Sequence, residues 1–510
     1  MRAARARPAR RGGVPRRGVV PRPAPRKRRA ALAGILGACL WAPAAGAAVI
    51  GQGGVRMGAD AMWSRGVLGQ GQTVAVVDQG FAGLDRSIEL GELPPRDRME
   101  VRLFDPGGAE GGVTELGLPT QHGVRMAELI HDLAPDARLV LVGYRTQEQF
   151  AQAAAWVAQQ GIPVASHSNS FLTPPFDGTG PAARAVDAAA ASGVLWVNSA
   201  GNYAQRHWRG TAGAGGAALD IAPAAGTPLL LSLAWGSPLA QGTVAIERAD
   251  GAGGWREVAR SAPVGPLNAT TPVTMADGGT YRVVVTQVSG PPQSFDLFSE
   301  TVGFGTAAVP VGSIPTPGDA RGALTVGAVK WTGTAIEAYS SQGLPGAGKP
   351  DLVGPTYVTS NPEWPGTAGT SAATAHVAGA AVLLRQRRLS LGLPAGPAEL
   401  RGVLVSGALD LGDEGPDPVY GAGMARLDTA APRLALRVGP GPQRVVRVRA
   451  IDAGTVRQVQ VTLNGRRLGT WRRPVAGVRL PTGARGRLQA IAEDMAGNVA
   501  VRARTVARAR

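Results

Sequence analysis

The 510-residue chain has a single cysteine, Cys39, and only five histidines. One thiol near the N-terminus excludes a disulfide framework, a cysteine nucleophile and a thiolate metal site from everything after it. The histidines are His122, His131, His167, His207 and His376. None stands in a His-Glu-x-x-His pair, so the common zinc-peptidase reading fails. There is no Gly-x-Ser-x-Gly elbow and no Walker-type phosphate loop. No apolar run approaches the ~18 residues that would suggest a bilayer-spanning helix.

Hydrophobic residues make up 44% and charged residues 17%, which is enough apolar surface for sizeable cores and not the composition of a disordered chain. The 73 glycines and 40 prolines are spread through periodic segments, as in turn-rich globular domains. The net charge of +17 is unevenly placed. Residues 1–47 hold twelve Lys and Arg and no acid, residues 432–510 carry +14, and residues 48–431 carry −9. A nucleic-acid partner is the easy guess from net charge, but the acidic main body argues against it.

The basic run Arg26 to Arg29 precedes a short apolar stretch, Ala30 to Leu40, and Ala45-Gly46-Ala47 fits an A-x-A cleavage site. Residues 1–47 therefore read as a secretory signal with a long basic n-region, and the protein as secreted, extracellular or periplasmic. Leu36-Gly37-Ala38-Cys39 offers the alternative of a lipid anchor at Cys39.

From residue 73 the pattern is α/β. Thr73 to Val77, Arg138 to Val142, Ile162 to Ala165 and Val194 to Val197 read as strands. Gly123 to Leu133, Gln147 to Gln160 and Pro181 to Ala191 read as helices. This alternation predicts a parallel sheet sandwiched by helices. The pattern turns all-β from 209 to 315, with short alternating strands such as Tyr281 to Gln287. It returns to α/β with a strand at Ala323 to Val329 and a long helix from Ser371 to about Arg388. The expected organisation is an α/β unit over 48–208 and 316–431, an inserted β-sandwich over 209–315, and a basic, immunoglobulin-like β-sandwich over 432–510. Val438-Gly439-Pro440-Gly441-Pro442 reads as a hinge.

Four short segments are expected at the carboxyl edge of the sheet, where open parallel sheets bind ligands. Asp78 ends a strand, His122 opens a helix, Asn202 follows a strand in Asn198-Ser199-Ala200-Gly201-Asn202, and Ser371 opens the long helix. Taken singly, each has a plain explanation as a turn residue, helix cap or first-turn residue. Together they supply a nucleophile, a base, an orienting carboxylate and an amide donor in the order Asp, His, Ser, which is the order found in subtilisin.

On these residues the chain resembles the subtilases, the subtilisin-like serine endopeptidases. Gly369-Thr370-Ser371 with His376-Val377-Ala378-Gly379 is the most specific part, supported by Tyr339-Ser340-Ser341-Gln342-Gly343 and Lys349-Pro350-Asp351. The resemblance implies a subtilisin-like fold and a polypeptide substrate. It implies Asp78, His122 and Ser371 as the catalytic triad, and Asn202 as the oxyanion-hole donor. It also implies Ser168, Asn169 and Ser170, with Ser199, Ala200 and Gly201, as the edges that pair with an extended substrate. No cofactor or catalytic metal is implied, and structural calcium is not readable from the sequence. Gln79 replaces the usual Ser or Thr, Val124 the usual Thr, and Ala375 the usual Pro. The short stretch between Ala47 and Thr73 leaves no room for an N-terminal pro-domain. These departures leave an alternative, a catalytically weak or inactive surface-binding protein on the same scaffold. The C-terminal Arg466-Arg467 and Arg472-Arg473, flanking Trp471, suggest a contact with an anionic envelope surface.

Overall fold

The computed structural model describes residues 51–104, 120–213, 215–265, 267–428, 430–440, 444–452 and 455–507. The signal-sequence reading, Cys39 and Ala45-Gly46-Ala47 lie outside the described residues. Seven strands form one all-parallel sheet: β1 (Thr73–Asp78), β2 (Met99–Leu103), β3 (Arg138–Gly143), β4 (Val164–His167), β5 (Leu195–Ser199), β6 (Ala323–Lys330) and β7 (Leu352–Thr356). Their order across the sheet is β7-β6-β5-β4-β1-β3-β2.

Successive side chains of a strand face opposite sides of its sheet, so a central strand must be apolar on both. In β1, Val74 and Val76 join one core, with residues of α1 (His122–Leu133), α4 (Thr370–Ser390) and α5 (Pro397–Ser406). Ala75 and Val77 join the other, with residues of α2 (Gln147–Gln159) and α3 (Pro181–Ala191). The sheet sandwiched by helices that the segment pattern predicts is therefore present. The segment pattern does not pick out β2 and β7, the two sheet edges. Edge strands escape the demand for a continuous apolar run: β2 carries Glu100 and Arg102, and β7 tolerates Pro355.

Helix α4 is buried from Thr370 to Leu384. It can run through the protein because its residues are small. A Cβ on Gly379 would lie 2.9 Å from the Leu133 Cβ, so glycine is what lets α1 and α4 approach. The departures from the subtilase pattern fit their surroundings here, since Val124 and Ala375 are fully buried in the same core.

Between β5 and β6 the described residues build a four-stranded and a five-stranded antiparallel sheet, with a further two-stranded one, around a separate core that includes Leu233, Ile246, Val283 and Phe295. The five-stranded sheet begins at His207–Thr211 and ends at Ser294–Ser299, which pair with each other. Its first strand thus starts a few residues after Asn202. Trp208 is half-buried against this core.

Beyond residue 432 a three-stranded and a four-stranded antiparallel sheet enclose a further core with Val448, Val461 and Leu488. The run read as a hinge lies between two strands that pair with each other. Val438 pairs with Val446, and the Gly439 N–H donates to the Val445 carbonyl at 2.9 Å; residues 441–443 lie outside the described ones. The turn between Gly486–Asp494 and Val499–Val506 inserts Ala496 into the α/β core, with Met495 packed against it. Buried Arg388 of α4 secures the turn by donating to the carbonyls of Met495 and, at 2.6 Å, Pro394.

Candidate active site

Asp78 is the last residue of β1, and His122 is the first of α1. Two backbone-directed bonds bring them together: the His122 N–H donates to Thr120 Oγ1 at 3.2 Å, and the Gly123 N–H donates to the Gly80 carbonyl at 2.9 Å. Gly123 is required at this approach, because a Cβ there would lie 2.6 Å from the Gly80 oxygen. His122 Nδ1 lies 2.7 Å from Asp78 Oδ2. Asp78 Oδ1 accepts the Gln79 N–H at 2.8 Å and the Gly80 N–H at 3.4 Å. These are backbone donors, so the unusual side chain at 79 costs this carboxylate nothing. Burial alone lowers the proton affinity of His122, but the charge and hydrogen bond of Asp78 outweigh it, and the imidazole pKa is raised above its usual value.

Ser371 is the second residue of α4, and its Oγ donates to the Ser168 carbonyl at 3.5 Å. It shares a cavity of about 380 Å³ with His122, Gln79 and Asn202. Asn202 is held by its oxygen: Oδ1 accepts the Thr370 N–H and the Thr370 hydroxyl, each at 3.0 Å. That arrangement leaves the Nδ2 donors for the cavity. Gly369, at φ +103°, allows the sharp entry into α4. Its N–H donates to Tyr339 Oη at 3.0 Å and its carbonyl accepts from Thr356 Oγ1 at 3.1 Å.

The segments singled out as subtilase landmarks brace these loops. The Ser341 N–H donates to the Gly201 carbonyl and Ser341 Oγ accepts the Tyr203 N–H, which fixes the loop carrying Asn202. Lys349 and Arg401 both pair with buried Asp351, which also accepts the Thr325 N–H of β6 at 2.7 Å. Of the six residues read as substrate edges, Ser168, Asn169, Ser170 and Gly201 line the cavity. Ser199 and Ala200 are buried, and the Ala200 N–H donates to Val326 of β6. Beneath the floor lies a buried chain: Tyr144 Oη contacts His167 Nε2, and His167 Nδ1 contacts Asn198 Oδ1, each at 2.7 Å. Burial lowers the His167 pKa to about 4, so it stays neutral and structural. His376 is likewise buried, bonded at 2.7 Å to the Ala372 carbonyl.

Sequence reasoning missed three lining residues: Tyr203, Arg206 and Glu300. The first two stand close to Asn202, and that proximity was a usable signal. Glu300 comes from the far end of the inserted strands, and no local signal points to it. Away from the cavity, Asp428, Asp452 and Asp494 bring carboxylate oxygens within 4.8 Å of one another, an all-oxygen set of the kind calcium takes. Asp494 is pushed up to about 6 by burial, opposed by its bonds to Asn498 and reinforced by the other two carboxylates.

The sequence model of the subtilase family matches residues 307–423, which include Ser371. The solved structure of the CspB protease of Clostridium perfringens aligns with a TM-score of 0.52 at 17% identity, over 73% of this chain and 95% of that one. A lanthipeptide protease aligns at 0.43 and 16% identity, over 74% and 91%. MycP1 without its N-terminal propeptide aligns at 0.41 and 19%, over 74% and 95%. No curated protein sequence matches. The chain is thus subtilase-like in sequence over residues 307–423, and its α/β unit has the fold of a subtilisin-like protease.

Proposed function

We propose that the protein is a secreted serine endopeptidase that works through an acyl-enzyme. The observation that carries this is the Asp78–His122 contact of 2.7 Å beside the Ser371 hydroxyl and the Asn202 amide in one cavity. A serine hydroxyl is a weak nucleophile until a base takes its proton. Asp78 holds the His122 tautomer with the proton on Nδ1, so Nε2 is free to act as that base. Ser371 Oγ attacks the scissile carbonyl and its proton passes to His122. Asn202 Nδ2 and the Ser371 N–H, at the start of α4, meet the oxyanion. His122 then gives its proton to the departing amine, and a water, deprotonated the same way, releases the acyl group. The long 3.5 Å bond of Ser371 Oγ to the Ser168 carbonyl is one the hydroxyl gives up as His122 Nε2 takes its proton.

The test is labelling with a small fluorophosphonate, followed by mass spectrometry. The adduct is expected on Ser371, and Ser371→Ala is expected to lose both label and peptide hydrolysis while staying folded. A protein that takes no label and cleaves no peptide would instead be the inactive binding protein on this scaffold. The basic C-terminal sandwich holds the enzyme on an anionic envelope surface in this proposal. Support comes from the exposure of Arg466, Arg467, Arg472 and Arg473; Trp471 between them is half-buried on its own sheet.

A further inference from the structure

Residues outside the reacting group line the rest of the cavity. Among the described residues its lining holds no aliphatic side chain; beyond the Ser and Asn edges it is closed by Gln79, Tyr203, Arg206 and Glu300. Tyr203 is locked edge-on against Phe298 at 5.6 Å, and its N–H is held by Ser341. Arg206 lies over the Tyr203 ring at 5.0 Å. Its nitrogens are committed to backbone: Nε and Nη2 donate to the Asn202 carbonyl at 3.1 and 2.8 Å, and Nη1 donates to the Glu300 carbonyl. Arg206 therefore rivets the end of the inserted strand to the loop that carries Asn202.

The Glu300 carboxylate is committed to far less. Its Oε2 accepts a long bond, 3.4 Å, from Tyr203 Oη, and among the described residues no ion pair closes on it. Burial raises its pKa, against the opposing pull of Arg206 and Tyr203, so the carboxylate is short of solvation, and Arg206, its nitrogens committed to backbone carbonyls, acts on it only at a distance. An apolar side chain would desolvate it further without return, and an acidic one would meet like charge. A lysine or arginine side chain supplies both charge and donors.

We infer that the cavity beside Ser371 selects substrates with a basic residue before the scissile bond, and that Glu300, delivered by the inserted β-sandwich, is the residue that reads it. The inference rests on the peptidase reading above. The insertion thereby has a function: it completes the specificity pocket of the α/β unit.

The experiment uses peptide diphenyl phosphonates that differ only at the residue before the phosphorus: Lys, Arg, Gln, Phe or Glu. Ser371 Oγ displaces phenoxide, and the rate of inactivation of the full-length protein is read. Lys and Arg should exceed Gln by about 10- to 100-fold, the range expected of a hydrogen bond to a charged group. In Glu300→Gln that ratio should fall to within a few-fold of unity, and Glu300→Asp should keep a preference for the basic residues. Thermal unfolding of both variants confirms that they fold. A lead for Phe or Glu in the wild type, or an unchanged ratio in Glu300→Gln, overturns the inference. The small fluorophosphonate, which offers nothing to the pocket, separates the two levels. If it labels Ser371 while no basic preference exists, only the specificity assignment fails. If it does not label, the peptidase reading fails and takes this one with it.

Discussion

The hydroxyl of Thr370 makes a sharp test of how the oxyanion donor is held. Thr370 is fully buried, and both its N–H and its Oγ1 donate to Asn202 Oδ1 at 3.0 Å. Thr370→Val keeps the shape and the backbone donor but removes the hydroxyl. A hydrogen bond between neutral groups is worth about 1 kcal/mol, or roughly fivefold in rate. Removing the oxyanion donor itself, in Asn202→Ala, should cost about 2.7–4 kcal/mol, or roughly 100- to 1,000-fold in kcat. Both losses should fall on kcat with KM little changed, because the negative charge exists only in the transition state. The decisive measurement is the double mutant. If Thr370 acts only by orienting Asn202, Thr370→Val should change kcat by less than about twofold once Asn202 is alanine. Steady-state kinetics on a soluble peptide, with melting curves for all four proteins, read this directly. Fully multiplicative effects would refute the orienting role, and a loss confined to KM would refute the oxyanion assignment.

Three further outcomes are expected. Because Asp78 raises the His122 pKa above its usual 6.5, kcat/KM should fall on acidification through an inflection above that value; Asp78→Asn should move it down, and an inflection that stays put would remove Asp78 from the site. Asp132, whose carboxyl is pushed up to about 9 by burial and then by Glu92 and Glu128, binds its proton more tightly folded than unfolded. Its contribution is therefore retained below about pH 4 and lost at about 1.4 kcal/mol per pH unit as pH rises toward 9. Asp132→Asn should then gain stability over the wild type between pH 5 and pH 8, and denaturant melts with a constant difference would contradict this. Finally, replacing Arg466, Arg467, Arg472 and Arg473 with serine should abolish low-salt binding to anionic vesicles, as raising salt to 1 M should in the wild type when the Debye length shrinks to about 3 Å. Equal retention of both proteins would end the surface proposal.

Local pattern was sufficient for the central strands and helices of the α/β unit. A strand buried on both faces has to be apolar throughout, as Thr73–Asp78 is, and an amphipathic helix such as His122–Leu133 shows its period. The change from α/β to β pattern after Asn202 was legible for the same reason. Asp78, His122, Asn202 and Ser371 stood out because a parallel sheet sends the carboxyl ends of its strands to one edge, so sequence order alone indicates which residues can meet. The sequence by itself therefore determined the α/β grammar, the interrupting β segment, the uneven charge and the candidates for chemistry. What tertiary structure alone decided was everything that depends on distant backbone. Edge strands β2 and β7 are specified by their neighbours more than by their own apolar content. The 438–442 run lies between two paired strands, because Val438 pairs with Val446, a choice of partner that a Gly-Pro run does not announce. The turn at Met495 and Ala496 packs into the α/β core because Arg388 and that core receive it. Above all, Thr370 meets Asn202, and Glu300 meets Tyr203 and Arg206, across long stretches of chain. Hydrogen-bond partners of this kind are set by where folded elements come to rest, and no periodicity in the chain encodes them.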